Sequence, residues 1–379
     1  MKILHFSLYL LIVCCIFSCS NDDVVTPVDT FDRTTLLESQ LQKVILPRLD
    51  KTKESVDKLQ TDVSAFVQNP TISNLQIARV QWIEAYKQWI TISFLDFGPG
   101  DGSFGTITEN IGTFPVRVQS GTSEAGATLK GIETLIAEGD YSLNNFFRDT
   151  RGFIGLEYLL FSENEASIVA KFTTDSQFEI RKQYTNAVVN DIKNRISALY
   201  SEWNGSYKTT FLASKGTDVG SSTSLLYNAF LKNFEQLKNF KVGVPSGLRA
   251  GQTKIEPEKV EGFYCGSSTE FAKIHFESIK SIYRGYDSDS TNSIGFIHYL
   301  RSISGGEALI QSTVSQMNAI DGVLVQLSAS STPLSQKIQS QNPLVSSLFT
   351  ELSKLTRFIK SDMSSLMGIS ITFSSGDGD

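Results

Sequence analysis

Glu157 is the one carboxylate inside Arg151-Gly152-Phe153-Ile154-Gly155-Leu156-Glu157-Tyr158-Leu159-Leu160-Phe161, among the most apolar runs outside the N-terminus. A helix over this run is buried on most faces. Burying an ionised carboxylate costs several kcal/mol unless the group is paired, hydrogen-bonded or protonated. Arg151, Arg148 and Arg117 are the neighbouring cations able to pair with it. Two readings are open: an ion pair that fixes helix register, or a functional carboxylate of the kind that collects at sites.

The remaining candidates for chemistry are sparse. A catalytic metal needs about three protein ligands and an open position. Beyond the first 18 residues only His275 and His298 are available, and Ser278 and Arg301, not glutamates, stand three residues after them. His275 reads as a packed or surface residue. His298 has the better claim, because it follows Gly295-Phe296-Ile297, an echo of Gly152-Phe153-Ile154. Glu157, Asp96, Asp101 and Glu109 offer oxygen ligands for a divalent metal or iron, although no calcium-loop spacing is present. The closing Ser-Ser-Gly-Asp-Gly-Asp reads as a solvated tail. No nucleophile elbow, phosphate-cradling loop or dinucleotide fingerprint occurs, and nothing beside Cys265 would activate its thiol. The sequence therefore names no cofactor. Trp82, Tyr86 and Trp89 recur at helical spacing and read as core. The Gly-rich loop over 97–120, with Gly98, Pro99, Pro115 and Arg117, is expected to line a pocket with the Gly152 turn.

These groups need a scaffold, and the composition supplies one. The chain has 379 residues, 40% of them hydrophobic, with 25 Phe. That is enough for two domains of ordinary size. A net charge of −6 argues against nucleic acid as a partner. Lys2, an apolar run from Ile3 to Phe17 and Ser18-Cys19 read as a secretory signal ending in a lipobox. Residues 1–18 are then removed, Cys19 carries the lipid, and 19–33 form a polar tether. The acidic start Ser20-Asn21-Asp22-Asp23 resembles export tags of Bacteroidota lipoproteins. An outer-membrane lipoprotein, facing the periplasm or the cell surface, is the expectation. Cys265 is the one cysteine left for the folded chain, so no disulfide within it is expected.

Helical periodicity dominates the chain beyond the tether. Leu37, Leu41, Ile45, Leu49, Val56, Leu59, Val63 and Phe66 mark one long helix, with a kink expected at Pro47. Thr71 caps a second, through Leu75, Ala78, Trp82, Tyr86, Trp89 and Phe94, which Gly98-Pro99-Gly100 stops. Helices are expected over 123–138, 151–161, 178–203, 267–286, 305–329 and 343–367, and from a cap at Ser222 or Thr223 to Val244-Pro245-Ser246-Gly247. Val345, Leu348, Leu352, Leu355, Ile359 and Leu366 form a near-heptad seam. No sustained period-two run predicts a strand. Elements recur in one order at an offset of about 145 residues, which suggests internal duplication. The predicted fold is all-α: two antiparallel four-helix-type bundles packed side by side, over 34–170 and 171–379.

The order of these residues resembles the imelysin family, also described as insulin-cleaving membrane peptidases. That family carries GxHxxE ahead of an apolar helix such as EYLLF. Gly152 matches its glycine and Glu157 its glutamate, while Ile154 stands at the histidine position. Trp82 and Tyr86 leading to Phe97-Gly98-Pro99, the segment Phe114-Pro115-Val116, the stretch from Val260 to Ser267 and the Phe373–Asp379 ending are similar to the family in turn. The resemblance spans the chain from about residue 35 onward. It implies a link to iron acquisition, with iron-uptake components as partners, and a metal site resting on the motif histidine and glutamate. Ile154 at that position weighs against peptidase activity and toward a non-catalytic binding protein. The alternative is a metallopeptidase using Glu157 as ligand or general base.

Overall fold

The computed structural model describes residues 31–102, 105–112, 131–144, 150–287 and 290–373. The signal segment, Cys19, Pro115, Arg117, Arg148 and the tail from 374 onward lie outside them. The fold is all-α. The first helix runs Arg33–Gln40 (α1), passes through a wide π turn at Leu41–Ile45 and continues as Leu46–Gln68 (α2). Pro47, where a kink was expected, stands in the first turn of α2 directly after this wide turn. Pro47 has no N–H and crowds the carbonyl four residues back, so the backbone widens and Leu46 N–H reaches Leu41 O. The side chain of Thr71 caps Ile72–Ile92 (α3), as expected.

The loop over 97–120 is less irregular than its glycines suggest. Asp101–Gly102 and Gly105–Thr106 pair as a minimal antiparallel hairpin (β1, β2). A one-turn helix, Ile107–Ile111 (α4), comes next, with a reciprocal capping box between Thr106 and Glu109. That box was visible as Thr-x-x-Glu. Of the helix expected over 123–138, the described part is Ile132–Ala137 (α5). Then come Gly152–Phe161 (α6), Glu165–Lys171 (α7), Phe178–Asn204 (α8) and Ser206–Ala213 (α9).

Helices α2, α3, α6 and α8 pack together as one four-helix layer. Its fourth member, α8, thus comes from beyond residue 170. Trp82, Tyr86 and Trp89 fill its middle, with Trp82 stacked on Tyr86 at 4.9 Å and the Trp82 indole N–H donating to Phe153 O at 3.0 Å. These rings are core, as their spacing predicted.

A second layer holds Ser222–Glu235 (α10), Ser268–Arg284 (α12), Gly306–Ser328 (α14) and Pro343–Thr356 (α16). The N-cap of α10 is Ser221, ahead of the two residues expected, and its side chain makes no capping bond. A second π turn, Gln236–Gly243, carries α10 into Val244–Ser246 (α11), where Gly247 in the left-handed region ends it. Phe296–Arg301 (α13) and Leu334–Gln339 (α15) are short, and α16 passes through a π turn at Arg357–Asp362 into Met363–Met367 (α17). That turn adds a residue and rotates the register. Met363 and Met367 therefore face inward, while Leu366, assigned to the seam, is exposed.

The layers are stitched through α1 and Arg48. Helix α1 lies against α9, α10 and α13. The Arg48 guanidinium, on α2, binds Asp287 beyond α12 (Nε to Oδ2, 2.9 Å), Thr91 O at 2.8 Å and Ser278 Oγ at 2.7 Å. No described helix is long and apolar enough to cross a membrane.

Candidate functional site

Glu157 lies on α6 with its side chain 3% exposed. Among the described residues no cation pairs with it, Arg151 included; Arg148 and Arg117 lie outside them. Its Oε1 accepts the main-chain N–H groups of Tyr264 (2.9 Å) and Cys265 (3.0 Å) instead. Those amides belong to a tight turn, where Gly266 N–H donates to Gly262 O at 2.9 Å and both glycines have positive φ. The carboxylate thus pins the loop that precedes α12 onto the first layer. Its second oxygen, Oε2, has no hydrogen-bond partner among the described residues. Burial pushes the Glu157 carboxyl up to about 7. The two amides oppose that shift and Glu261 adds to it. Burial dominates because neither amide brings a compensating full charge.

Glu157 borders a cavity of about 870 Å³. Ile154 and Tyr158 of the same helix line it, with Glu133 of α5, the 251–256 loop and the aromatic pair Phe263 and Tyr264. Ile154, one turn before Glu157, therefore occupies the cavity wall where a histidine would reach the same space. Glu133 is committed elsewhere: Arg181 holds it (2.6 Å) and Tyr158 donates to it at 2.9 Å. The guanidinium brings the Glu133 carboxyl down to about 2 despite partial burial.

Behind Glu157 lies a polar cluster that sequence reasoning missed. Glu261, 3% exposed, accepts at Oε1 from Lys241 Nζ (2.6 Å) and from the Tyr86 hydroxyl (2.7 Å). Burial draws the Lys241 ammonium below the ordinary lysine value, and Glu261 pulls it back. The Tyr86 hydroxyl is driven well up by burial and by Glu261. His275, fully buried beside Lys241, is held neutral by desolvation. The signals were present: Lys241 between Phe240 and Val242, and Glu261 beside Gly262-Phe263. Nothing local told which cation met which anion.

Other candidates sit apart. Gly152 lies beneath α4, not on the cavity wall. Pro99 lines a separate hollow of about 390 Å³ with Tyr207, whose ring packs on Gly98. Pro99 therefore lines this hollow and not the Glu157 cavity, and Ile111 of the loop lies directly against Gly152. The oxygen-ligand set also disperses. Asp96 accepts from Thr108 N–H (3.0 Å) and Lys232 (3.1 Å), and Glu109 is occupied by its capping box. No group of three His, Cys, Asp or Glu side chains close enough to hold a metal occurs among the described residues. The donors around Glu157 therefore do not fit a three-ligand metal site. His298 Nδ1 accepts Gly295 N–H at 3.1 Å, a capping role at the start of α13. Burial raises the Cys265 thiol, so it is not activated.

Glu157→Gln isolates the cost of the buried acid. The amide keeps an oxygen for the two N–H groups and removes ionisation. A carboxyl raised in the folded state stabilises most below its unfolded value, 4.5, and that contribution is lost as pH climbs through about 7. Wild type and variant should match in urea unfolding near pH 4.5, and the variant should gain on the order of 3 kcal/mol by pH 8. A pH-independent difference would show that Glu157 reaches water.

The match to known proteins agrees with this architecture. A solved iron-regulated protein A precursor described as putative, from Parabacteroides distasonis ATCC 8503, superposes with a TM-score of 0.68 at 16% identity, over 88% of this chain and 95% of that one. An imelysin-like protein from Psychrobacter arcticum 273-4 gives 0.68 and 16% over 90% and 97%. Iron-regulated protein A of Synechococcus elongatus is 19% identical over 263 residues, 67% of this chain and 65% of that protein, so the chain spans about two thirds of its length. The family model for imelysin matches residues 45–358. With the helical layers, the motif glycine and glutamate and this match across most of its length, the chain belongs to the imelysin family.

Proposed function

We propose that this chain is a non-catalytic binding protein of the cell envelope, linked to iron acquisition, whose ligand enters the cavity bordered by Glu157. The observation that carries the reading is the wall itself. One carboxylate oxygen is held by the main chain, the other is free, and Ile154 stands one turn away where the family motif has histidine. Such a wall orients and binds, whereas open tetrahedral zinc needs further ligands. The iron link draws on the names of two relatives, one called iron-regulated protein A and the other described as a putative precursor of it.

Metal analysis of purified protein, before and after a chelator wash, tests the reading. The expected result is no stoichiometric zinc, and no cleavage of an unfolded substrate. Stoichiometric zinc with cleavage that disappears in Glu157→Ala would overturn it in favour of a metallopeptidase. That alternative has one point in its support, a carboxyl raised to about 7, where a general base works best. Ile154→His restores the motif pair on one helix face and should raise metal affinity by about tenfold or more, read by competition with a chromophoric chelator. An unchanged affinity would mean that further ligands are missing too.

The envelope location rests on the lipobox before Cys19. In an expressing bacterium, Cys19→Ser should move the protein from the detergent phase to the aqueous phase on Triton X-114 partition and abolish palmitate labelling. Labelling that survives the substitution would refute lipidation at Cys19.

A further inference from the structure

The Glu157 cavity carries a charge imbalance that selects among ligands. Its described lining holds four acids, Glu133, Glu157, Glu256 and Glu258, against two bases, Lys254 and Lys259. Internal pairing removes most of these. Arg181 and Lys171 take Glu133, and Lys259 Nζ sits 2.8 Å from Glu256. Lys254 stands 77% exposed at 4.0 Å from that same Glu256. What remains is two acids against one base: Glu157 with its free oxygen, almost wholly buried, and Glu258 and Lys254, both exposed. The same wall carries ring surfaces. Tyr264 is 43% and Phe263 39% exposed, and Tyr264 meets Phe263 edge-on at 5.2 Å and Tyr158 at 5.7 Å.

An anion entering here meets the unpaired Glu157 carboxylate, and the one lysine of the lining not held close to an acid, Lys254, is largely in solvent. A bare metal ion finds one free oxygen where it needs several ligands. An organic cation satisfies both features, because its N–H groups can donate to Glu157 Oε2 while its delocalised or ammonium charge lies against the rings. We propose that the cavity takes a small organic cation, a guanidinium or primary ammonium group, held by Glu157 Oε2 and the faces of Tyr264 and Phe263. This rests on the reading of the cavity as a ligand site and adds the class of ligand.

Isothermal titration of the full-length protein with arginine amide, neutral citrulline amide and anionic N-acetylglutamate tests it. Arginine amide is expected to bind one-to-one and at least tenfold more tightly than citrulline amide. Glu157→Gln should weaken it about tenfold, and Glu258→Gln, on an exposed residue, about twofold. Thermal unfolding and far-UV circular dichroism of both variants confirm that they fold. Citrulline amide binding as tightly would show that charge is not read and would overturn the inference. Tighter binding of N-acetylglutamate, lost on blocking the cavity with Ile154→Trp, would overturn it while leaving the cavity as a ligand site. No binding of any probe would also sink it, and metal analysis with the cleavage assay judges the broader reading separately.

Discussion

Lys241→Met should cost about 3–5 kcal/mol in urea unfolding at pH 7, the largest loss expected of any single substitution here. The methionine matches the lysine stem in length and packs in the same space, so the loss is electrostatic. Glu261 would keep the Tyr86 hydroxyl at 2.7 Å and nothing else, at 3% exposure, with its Oε2 already lacking a partner. A buried charge left uncompensated is far worse than a pair removed whole. The double variant Lys241→Met/Glu261→Gln should therefore recover most of the loss. It also keeps an oxygen for Tyr86. If the single substitution costs under about 1 kcal/mol, water reaches Glu261 and the cluster is not a sealed pair.

Gly152→Ala should come close behind, with a loss of about 3 kcal/mol or more. Gly152 has φ +64, and a Cβ built on it would lie 2.4 Å from Ile111 O and 2.6 Å from Ile111 Cα. Both obstacles are backbone, so no side chain can rotate away. Relief requires α6 to lift from α4, and α6 carries Ile154 and Glu157 into the cavity wall. The variant should accordingly lose the Glu157 contacts to the Tyr264 and Cys265 amides, read as faster hydrogen exchange at those two positions. Unchanged exchange with lowered stability would confine the strain to the turn. Gly139→Ala is the control: its φ is +74, but nothing lies within 4 Å. It should lose only the left-handed penalty, about 1–2 kcal/mol.

The helices were legible because their apolar residues repeat with the α-helical period over long stretches. Leu49, Val56, Leu59, Val63 and Phe66 are all buried on α2, and Trp82, Tyr86 and Trp89 are all buried on α3. Thr71, Pro47 and Gly247 punctuate the chain by backbone chemistry that acts within a few residues. The capping box at Thr106 and Glu109 obeys the same local rule and was there to be read inside the Gly-rich loop. Leu366 failed because a π turn adds a residue that no apolar pattern announces. Its seam was periodic along the chain and rotated in space.

Glu157 could be singled out from one apolar run, because a lone carboxylate among Phe, Ile and Leu must be paid for somewhere. Where that happens is a long-range matter. The two N–H groups come from Tyr264 and Cys265, over a hundred residues away. The Glu261, Lys241 and Tyr86 contacts likewise join three separate segments. Residue identity and spacing carry helix content and the presence of a buried acid, since both arise from neighbours along the chain. Which partner meets that acid, and whether it ends as ion pair, ligand or clamp, depends on packing between layers, where distance in sequence has no bearing on distance in space.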